Sequence, residues 1–299
     1  MSPLEPQSAA DYDDRSTQAV KSVLLEIGQI LGSYKGKFVV VGGLIPWLLQ
    51  NDEEMPHVGT LDIDLGLDPS ALADGEYASL IELLKGHGYR QRDDLNPDLK
   101  PFQLVRELPQ EDGSSPIEVV VDFLMQSDAK VAKNNPPLVE DFRVQGVKGT
   151  DLAIRLAENF RLSGSMPGGG TNTVNISVCS IPAFLVMKGF ASENRHKQKD
   201  AYDRYYVVRN YRDSISALAE ACRPVLSEPE ALEGYGYIDG KFAVFDACGP
   251  TSVRKFVEET DVLQERTPEQ WQRDAFGVVD QWLRLLGLRE QGPCDYAQI

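Results

Sequence analysis

The apolar positions of TQAVKSVLLEIGQIL, residues 17–31, fall three and four apart, the spacing of an amphipathic helix. GKFVVVGG, residues 36–43, predicts a buried strand ending in a glycine turn, and LIPWLLQ a short helix that tolerates Pro46 in its first turn. TLDIDLGL alternates and predicts a strand. PSALADGEYASLIELLKGHGY predicts a helix opening at Pro69 and Ser70 and stopping near Gly86 or Gly88. PFQLVREL and PIEVVVDFL bracket the polar PQEDGSS and predict a hairpin. AIRLAENFRL and TVNISVCS predict two further strands joined by SGSMPGGGTN.

From Pro182 onward the pattern turns helical, through PAFLVMKGFASENRHKQKDAYDRYYVVRNY, SISALAEACRPVL, PTSVRKFVEET and PEQWQRDAFGVVDQWLRLLGL. Mixed elements first and helices later predict an α+β class: a mixed sheet with flanking helices over residues 16–180, then a helical C-terminal domain over 181–299. Residues 1–15 are polar and acidic and predict a mobile tail. They lack the basic and apolar regions of a signal peptide, and no apolar run in the chain reaches the roughly 18 residues of a membrane span. Cys179, Cys222, Cys248 and Cys294 form no CxxC pair, which argues against a zinc or disulfide framework and points to a reducing cytoplasm. A net charge of −16 argues against broad non-specific nucleic-acid binding, while allowing a local basic groove or a basic partner.

Asp62 and Asp64, two apart on a predicted strand, leave the same face. Like carboxylates side by side repel unless something cationic sits between them, and Mg²⁺ uses such oxygens together with substrate phosphates. A bare DxD is more often a solvent-facing strand edge. IEVVVDFL adds a carboxylate among valines, with Asp122 on the face opposite Val121 and alongside Glu118 and Val120. If the two strands are neighbours, Asp122 completes a three-carboxylate cluster able to hold two metals; Glu118 is the alternative third member, nearer the hairpin turn. Gly42 and Gly43, between strand and helix, let backbone N–H groups approach a phosphate chain.

If one helix runs through MKGFASENRHKQKDAYD, then Lys188, Ser192, Arg195 and Lys199 form a stripe with Asp203 on its edge. A solvated charged face is the common origin of such a stripe. Lys188, however, emerges from apolar AFLVM and suits a phosphate ligand. The remaining signals are structural: PGGGTN lacks the P-loop spacing and reads as a hairpin turn. His57, His87 and His196 share no ligand spacing and read as surface residues or caps. Tyr202, Tyr205 and Tyr206 read as helix packing, and Arg254 as a solvent-facing residue near a helix start.

Taken together, VVVGG, HVGTLDIDL, VVVDF and K…R.K.KD.YD resemble the nucleotidyltransferase-like toxins of the AbiEii/MenT type, within the DNA polymerase β-like nucleotidyltransferase superfamily, most strongly over residues 37 to 210. The resemblance implies a nucleotidyltransferase that moves NMP from an NTP to a hydroxyl on a tRNA 3′ end or a protein side chain. It implies Mg²⁺, with two ions, on Asp62, Asp64 and Asp122, and nucleotide contacts from Gly42, Gly43, Thr60, Lys188, Arg195 and Lys199. Asp203 is implied as needed for activity, and a toxin role implies an antitoxin partner. Two departures stand out. Nineteen positions separate Gly43 from Asp62, with QNDEEMPH inserted, and the arginine usual before Thr-x-Asp-x-Asp is missing, with His57 or nothing in its place. A silent nucleotide- or partner-binding module and a small-molecule nucleotidyltransferase of the antibiotic-modifying kind are the competing classes.

Overall fold

The computed structural model describes residues 8–50, 52–72, 76–91, 93, 97–110, 113–127, 142–195, 197–212, 214–258 and 266–290. The chain divides into two compact units, one of residues 1–6 and 11–187, the other of residues 7–10 and 188–299.

In the first unit α1 (Asp14–Ile30) is capped by Asp13, whose carboxylate accepts from the Ser16 N–H. It begins inside the stretch expected to be a mobile tail, of which residues 1–7 lie outside the described residues. Then come β1 (Phe38–Val41), α2 (Leu44–Leu49), β2 (Asp62–Leu67), α3 (Glu76–Gly86), β3 (Gln103–Leu108) and β4 (Ile117–Met125). The short β5 (Gln145–Gly146), α4 (Thr150–Arg155), β6 (Ala157–Ser165) and β7 (Thr171–Cys179) complete it. The strands pair in the order β3-β4-β2-β1-β7-β6, with β5 on β4. The sheet is mixed: β1 runs antiparallel to β2 and parallel to β7, and β2 runs parallel to β4.

Two expectations shift. α3 begins at Glu76 rather than at Pro69 and Ser70, which lie in a turn where the Asp68 carboxylate accepts from the Ser70 and Ala71 amides. AIR belongs to α4, with Leu156 as its C-cap, and not to a strand, because Gly149, at φ 85, starts a helical turn that buries Leu152 and Ala153. The hairpin reading of PGGGTN holds: β6 pairs antiparallel with β7 across a turn in which Gly169 and Gly170 take φ of 89 and 76.

Alternation decides the two sheet faces. Ile63, Leu65, Val119, Val121 and Phe123 point into a core that includes buried α1 and α3 residues. On the opposite face Gly66 leaves room for Thr150 of α4, whose methyl would be 3.0 Å from an added Cβ.

α5 (Ile181–Asn194) runs across the boundary at residue 188. The second unit continues with α6 (Gln198–Asn210), α7 (Ile215–Cys222), α8 (Pro229–Lys241), α9 (Cys248–Val257) and α10 (Pro268–Leu285). Tyr202, Tyr205 and Tyr206 are buried packing residues: Tyr202 lies against Phe256 at 4.9 Å between ring centres, and Tyr205 meets Trp271 edge-on at 5.7 Å. Arg254 falls in the last turn of α9 rather than near its start, because the helix opens at Cys248. No helix among the described residues is long and apolar enough to cross a membrane.

Gly189 packs against α8 so closely that an added Cβ would lie 2.0 Å from the Gly234 carbonyl oxygen. Gly189→Ala is therefore expected to destabilise by about 1–3 kcal/mol through overpacking. Gly236→Ala, where a Cβ meets nothing within 4 Å, is expected to stabilise by about 0.5–1 kcal/mol. Thermal unfolding of the two variants beside the wild type checks the contrast in sign.

Candidate active site

The parallel pairing of β2 with β4 sets Asp64 directly beside Asp122, and Asp62 beside Val120. Because side chains on paired strands share a face at matched positions, Asp62, Asp64 and Asp122 all leave the same side of the sheet, with Glu118 further along β4. Neighbouring strands lie about 4.8 Å apart, so Asp64 and Asp122 are near neighbours. Asp122 rather than Glu118 is thus the residue opposed to the DxD pair; Glu118 pairs across to Glu107 of β3 at an exposed position.

Each carboxylate is held by its own surroundings. The Thr60 hydroxyl donates to Asp62 Oδ1 at 2.6 Å, and the Gln103 side-chain amide donates to Asp122 Oδ1 at 2.8 Å. Asp64 lies opposite Val41, the last residue of β1, and its carboxylate rests on the glycine turn. Gly42 takes φ 75, and a Cβ there would lie 1.7 Å from Asp64 Oδ2. Only glycine satisfies both the left-handed backbone and the contact. Gly43 then opens α2 in a right-handed conformation.

The loop that lengthens the Gly43–Asp62 link is anchored. Asp52 accepts from the Glu54 and Met55 amides, Met55 is buried, and Gly59, at φ 84, makes room for Thr17 of α1. His57 is buried rather than on the surface, and its Nδ1 accepts from the Gly59 N–H at 3.1 Å. A ring of half-apolar character fills the loop interior while its nitrogen closes the turn. His87 caps as expected, its Nδ1 lying 2.8 Å from the Leu83 carbonyl oxygen, whereas His196 and Cys294 lie outside the described residues.

Hard oxygen donors on one face suit Mg²⁺ chemically. Among the described residues no group of three or more His, Cys, Asp or Glu side chains is gathered into a metal cage. The donor set therefore fits a cation held by one or two carboxylates and completed by water and phosphate oxygens, which is how Mg²⁺ is commonly bound.

Lys188, Arg195, Lys199 and Asp203 come together in the second unit, though not as a stripe on one helix. The helix breaks after Asn194, with Lys197 extended at φ −81 and ψ 123, and restarts at Gln198. The reversal lets α6 carboxylates reach back to α5. Lys188 Nζ donates to Asp200 at 2.6 Å and to Asp203 at 2.8 Å, Lys199 donates to Asp203 at 2.8 Å, and Arg195 to Asp200 at 2.7 Å. Arg204 donates to the Lys188 carbonyl oxygen, and Ser192 turns inward to donate to that of Gly189. Asp200 and Arg204 were not singled out by the sequence pattern, although KQKD carries the former. Lys188, Lys199, Asp200, Asp203 and Arg204 are buried, whereas the Arg195 side chain is 52% exposed.

Burial alone would lower the Lys188 pKa, but Asp200 and Asp203 outweigh it and hold the ammonium above its usual value. Burial likewise raises the Asp200 carboxyl, and the charges of Lys188 and Arg195 outweigh that and hold it well below the usual carboxylate range. For Arg204 burial prevails over the two aspartates and lowers its pKa.

No family model matches the chain, and no curated protein matches it. Among solved structures, one described as a proposed nucleotidyltransferase from H. pylori is 12% identical, with a TM-score of 0.42 over 94% of this chain and 100% of its own. JHP933 from Helicobacter pylori is 11% identical, with a TM-score of 0.41 over 93% of this chain and 95% of its own.

Asp203→Asn leaves Lys188 and Lys199 short of a buried counter-charge and is expected to destabilise by about 3–5 kcal/mol, read from urea unfolding. The pH dependence has a defined sign. The Asp200 pKa is depressed, so its contribution is present above the unfolded value of about 4 and lost as pH falls below it. The Lys188 pKa is raised, so its contribution is complete below about pH 10.4 and lost only in stronger alkali. The stability gap between wild type and Asp200→Asn should be flat from pH 5 to 9, as about that range lies inside both limits, and should narrow below about pH 4.

Proposed function

We propose that the protein is a Mg²⁺-dependent nucleotidyltransferase that transfers NMP from an NTP to an acceptor hydroxyl and releases pyrophosphate. The observation that carries this reading is the opposition of Asp64 and Asp122 on paired strands, with Asp62 on the same face and the Gly42 turn against Asp64.

In this reading Asp62, Asp64 and Asp122 would share the divalent cations, one or two carboxylates to each ion with water and phosphate oxygens completing it, and Thr60 and Gln103 fix the direction of Asp62 and Asp122. Bound Mg²⁺ would neutralise the charge that builds on the α-phosphate and on the leaving oxygen. Asp122 takes the proton of the acceptor hydroxyl as its oxygen bonds to the α-phosphorus. The bond from the α-phosphorus to the bridging oxygen breaks, and pyrophosphate leaves with that electron pair. Gly42 and Gly43 let the backbone of the turn approach the phosphate chain.

Within the second unit, Asp203 acts as a positioning residue that holds Lys188 and Lys199, and Arg195 is the exposed cation of that cluster suited to a phosphate. The acceptor is a tRNA 3′ end or a protein side chain, and the setting is a cytoplasmic toxin–antitoxin pair. These last points rest on the resemblance of VVVGG, TLDIDL and K…R.K.KD.YD to the AbiEii/MenT-type proteins.

The test incubates purified protein with each α-labelled NTP and Mg²⁺, with total tRNA or with cell lysate, beside Asp64→Ala. Label in tRNA or protein that falls at least a hundredfold in the variant is the expected result. Equal labelling by Asp64→Ala overturns the metal assignment. Mg²⁺-dependent NTP binding with no label in any acceptor favours the silent nucleotide-binding module instead.

A further inference from the structure

β1 and β7 are parallel neighbours paired at Val40 and Val178, and each ends one residue later, at Val41 and Cys179. Each then runs into a helix: β1 through Gly42 and Gly43 into α2, β7 through Ser180 into α5. Ligands of sheets of this kind gather in the crevice beyond the carboxyl ends of parallel strands. Gly42 and Ser180 stand at the same level there, on strands about 4.8 Å apart.

Ser180 holds the cap position of α5: its carbonyl oxygen accepts from the Phe184 N–H at 2.9 Å and closes the first turn. A serine in that position ordinarily turns its hydroxyl onto the second or third amide of the helix. This one does not. Pro182, the second residue of α5, has no N–H to offer. The Ser180 Oγ is buried without a hydrogen-bond partner, in a residue only 6% exposed. Leaving a buried hydroxyl unsatisfied is costly, so a ligand that supplies its partner recovers that cost. α5 is 14 residues long, and its first turn adds orphan N–H groups and the positive end of a helix dipole. Both favour an anion.

We propose that Ser180 and the first turn of α5 form an oxyanion subsite that binds the polyphosphate tail of the nucleotide, beside the Gly42 turn. The identity of the anion rests on the nucleotidyl-transfer reading; the existence of the subsite rests on Ser180 alone. The Ser180 hydroxyl donates to a non-bridging phosphate oxygen, and the Ile181 and Ala183 amides face the same charge. Glycine on β1 and serine on β7 thereby grip the phosphate chain from two adjacent strand ends. Asp64, which rests on Gly42, sits at the same rim with its carboxylate directed at any cation the phosphates bring.

The test is titration calorimetry of the full chain with inorganic tripolyphosphate and Mg²⁺, for wild type, Ser180→Ala, Ser180→Thr and Ser180→Asp. Thermal melting of each variant confirms folding. Wild type is expected to bind tripolyphosphate, Ser180→Ala about ten- to a hundredfold more weakly, and Ser180→Thr close to wild type because the hydroxyl is kept. Ser180→Asp, which sets a charge against the ligand, is expected to abolish binding. If wild type fails to bind tripolyphosphate, or if a folded Ser180→Ala binds as well as wild type, the subsite is overturned. The outcomes separate from those of the preceding test. Serine-dependent tripolyphosphate binding without transfer to any acceptor leaves the subsite standing and removes the transferase. Transfer with an unchanged KM for NTP in Ser180→Ala leaves the transferase standing and removes the subsite.

Discussion

Two carboxylates on adjacent strands repel, and the sheet sets them side by side nonetheless. The register of β2 on β4 opposes Asp64 to Asp122, and it cannot slip by one residue without turning Ile63 and Leu65 out of the core. Buried aliphatic side chains on one face therefore fix a repulsive pair on the other. Like charges on facing positions are unfavourable unless a cation or hydrogen-bond donors offset them, and Gln103 already donates to Asp122. Much of the first unit serves that arrangement. Gly42 yields space to the Asp64 carboxylate, Thr60 and Gln103 donate to the flanking aspartates, and the long loop ahead of Asp62 is tied to α1 through Gly59 and Thr17.

The second unit treats charge differently. Lys188 and Lys199 are neutralised within a buried network by Asp200 and Asp203, and the break between α5 and α6 exists in the form that this pairing requires. Removing one member of a buried pair strands the others, so substitutions in K…R.K.KD.YD alter folding. Asp203 is the centre of that network, since it touches two ammonium groups and is fully buried.

Periodicity alone exposed most of the first unit, because strands with one buried face and helices with a stripe leave regular patterns. The shared face of Asp62 and Asp64 was legible from their spacing, and Asp122 followed once a neighbouring strand was supposed. What stayed hidden was tertiary in origin. Gly234, Gly236 and Gly240 conceal α8 by depressing helix propensity, yet Gly234 is where Gly189 makes close contact. In the helical pattern from Pro182 to Tyr211, Gly189 and Asn194 are the residues able to break the helix, and α5 ends at Asn194; what the pattern cannot show is the ion pairing that brings α6 back onto α5. His57 looked like a surface residue because nothing local announces that the inserted loop folds over it. The Ser180 hydroxyl cannot be recognised from CSIP, since its lack of a partner is a property of the folded surroundings.

The most direct measurement is Mn²⁺ binding followed by electron paramagnetic resonance, with an NTP analogue that cannot be cleaved between the α- and β-phosphates. Wild type, Asp64→Asn and Asp122→Asn are compared. Nucleotidyl transfer at this face predicts Mn²⁺ held by wild type in the presence of the analogue, and affinity at least tenfold weaker in each folded variant. Mn²⁺ bound equally by all three proteins would contradict it, since the opposed aspartates would then hold no metal.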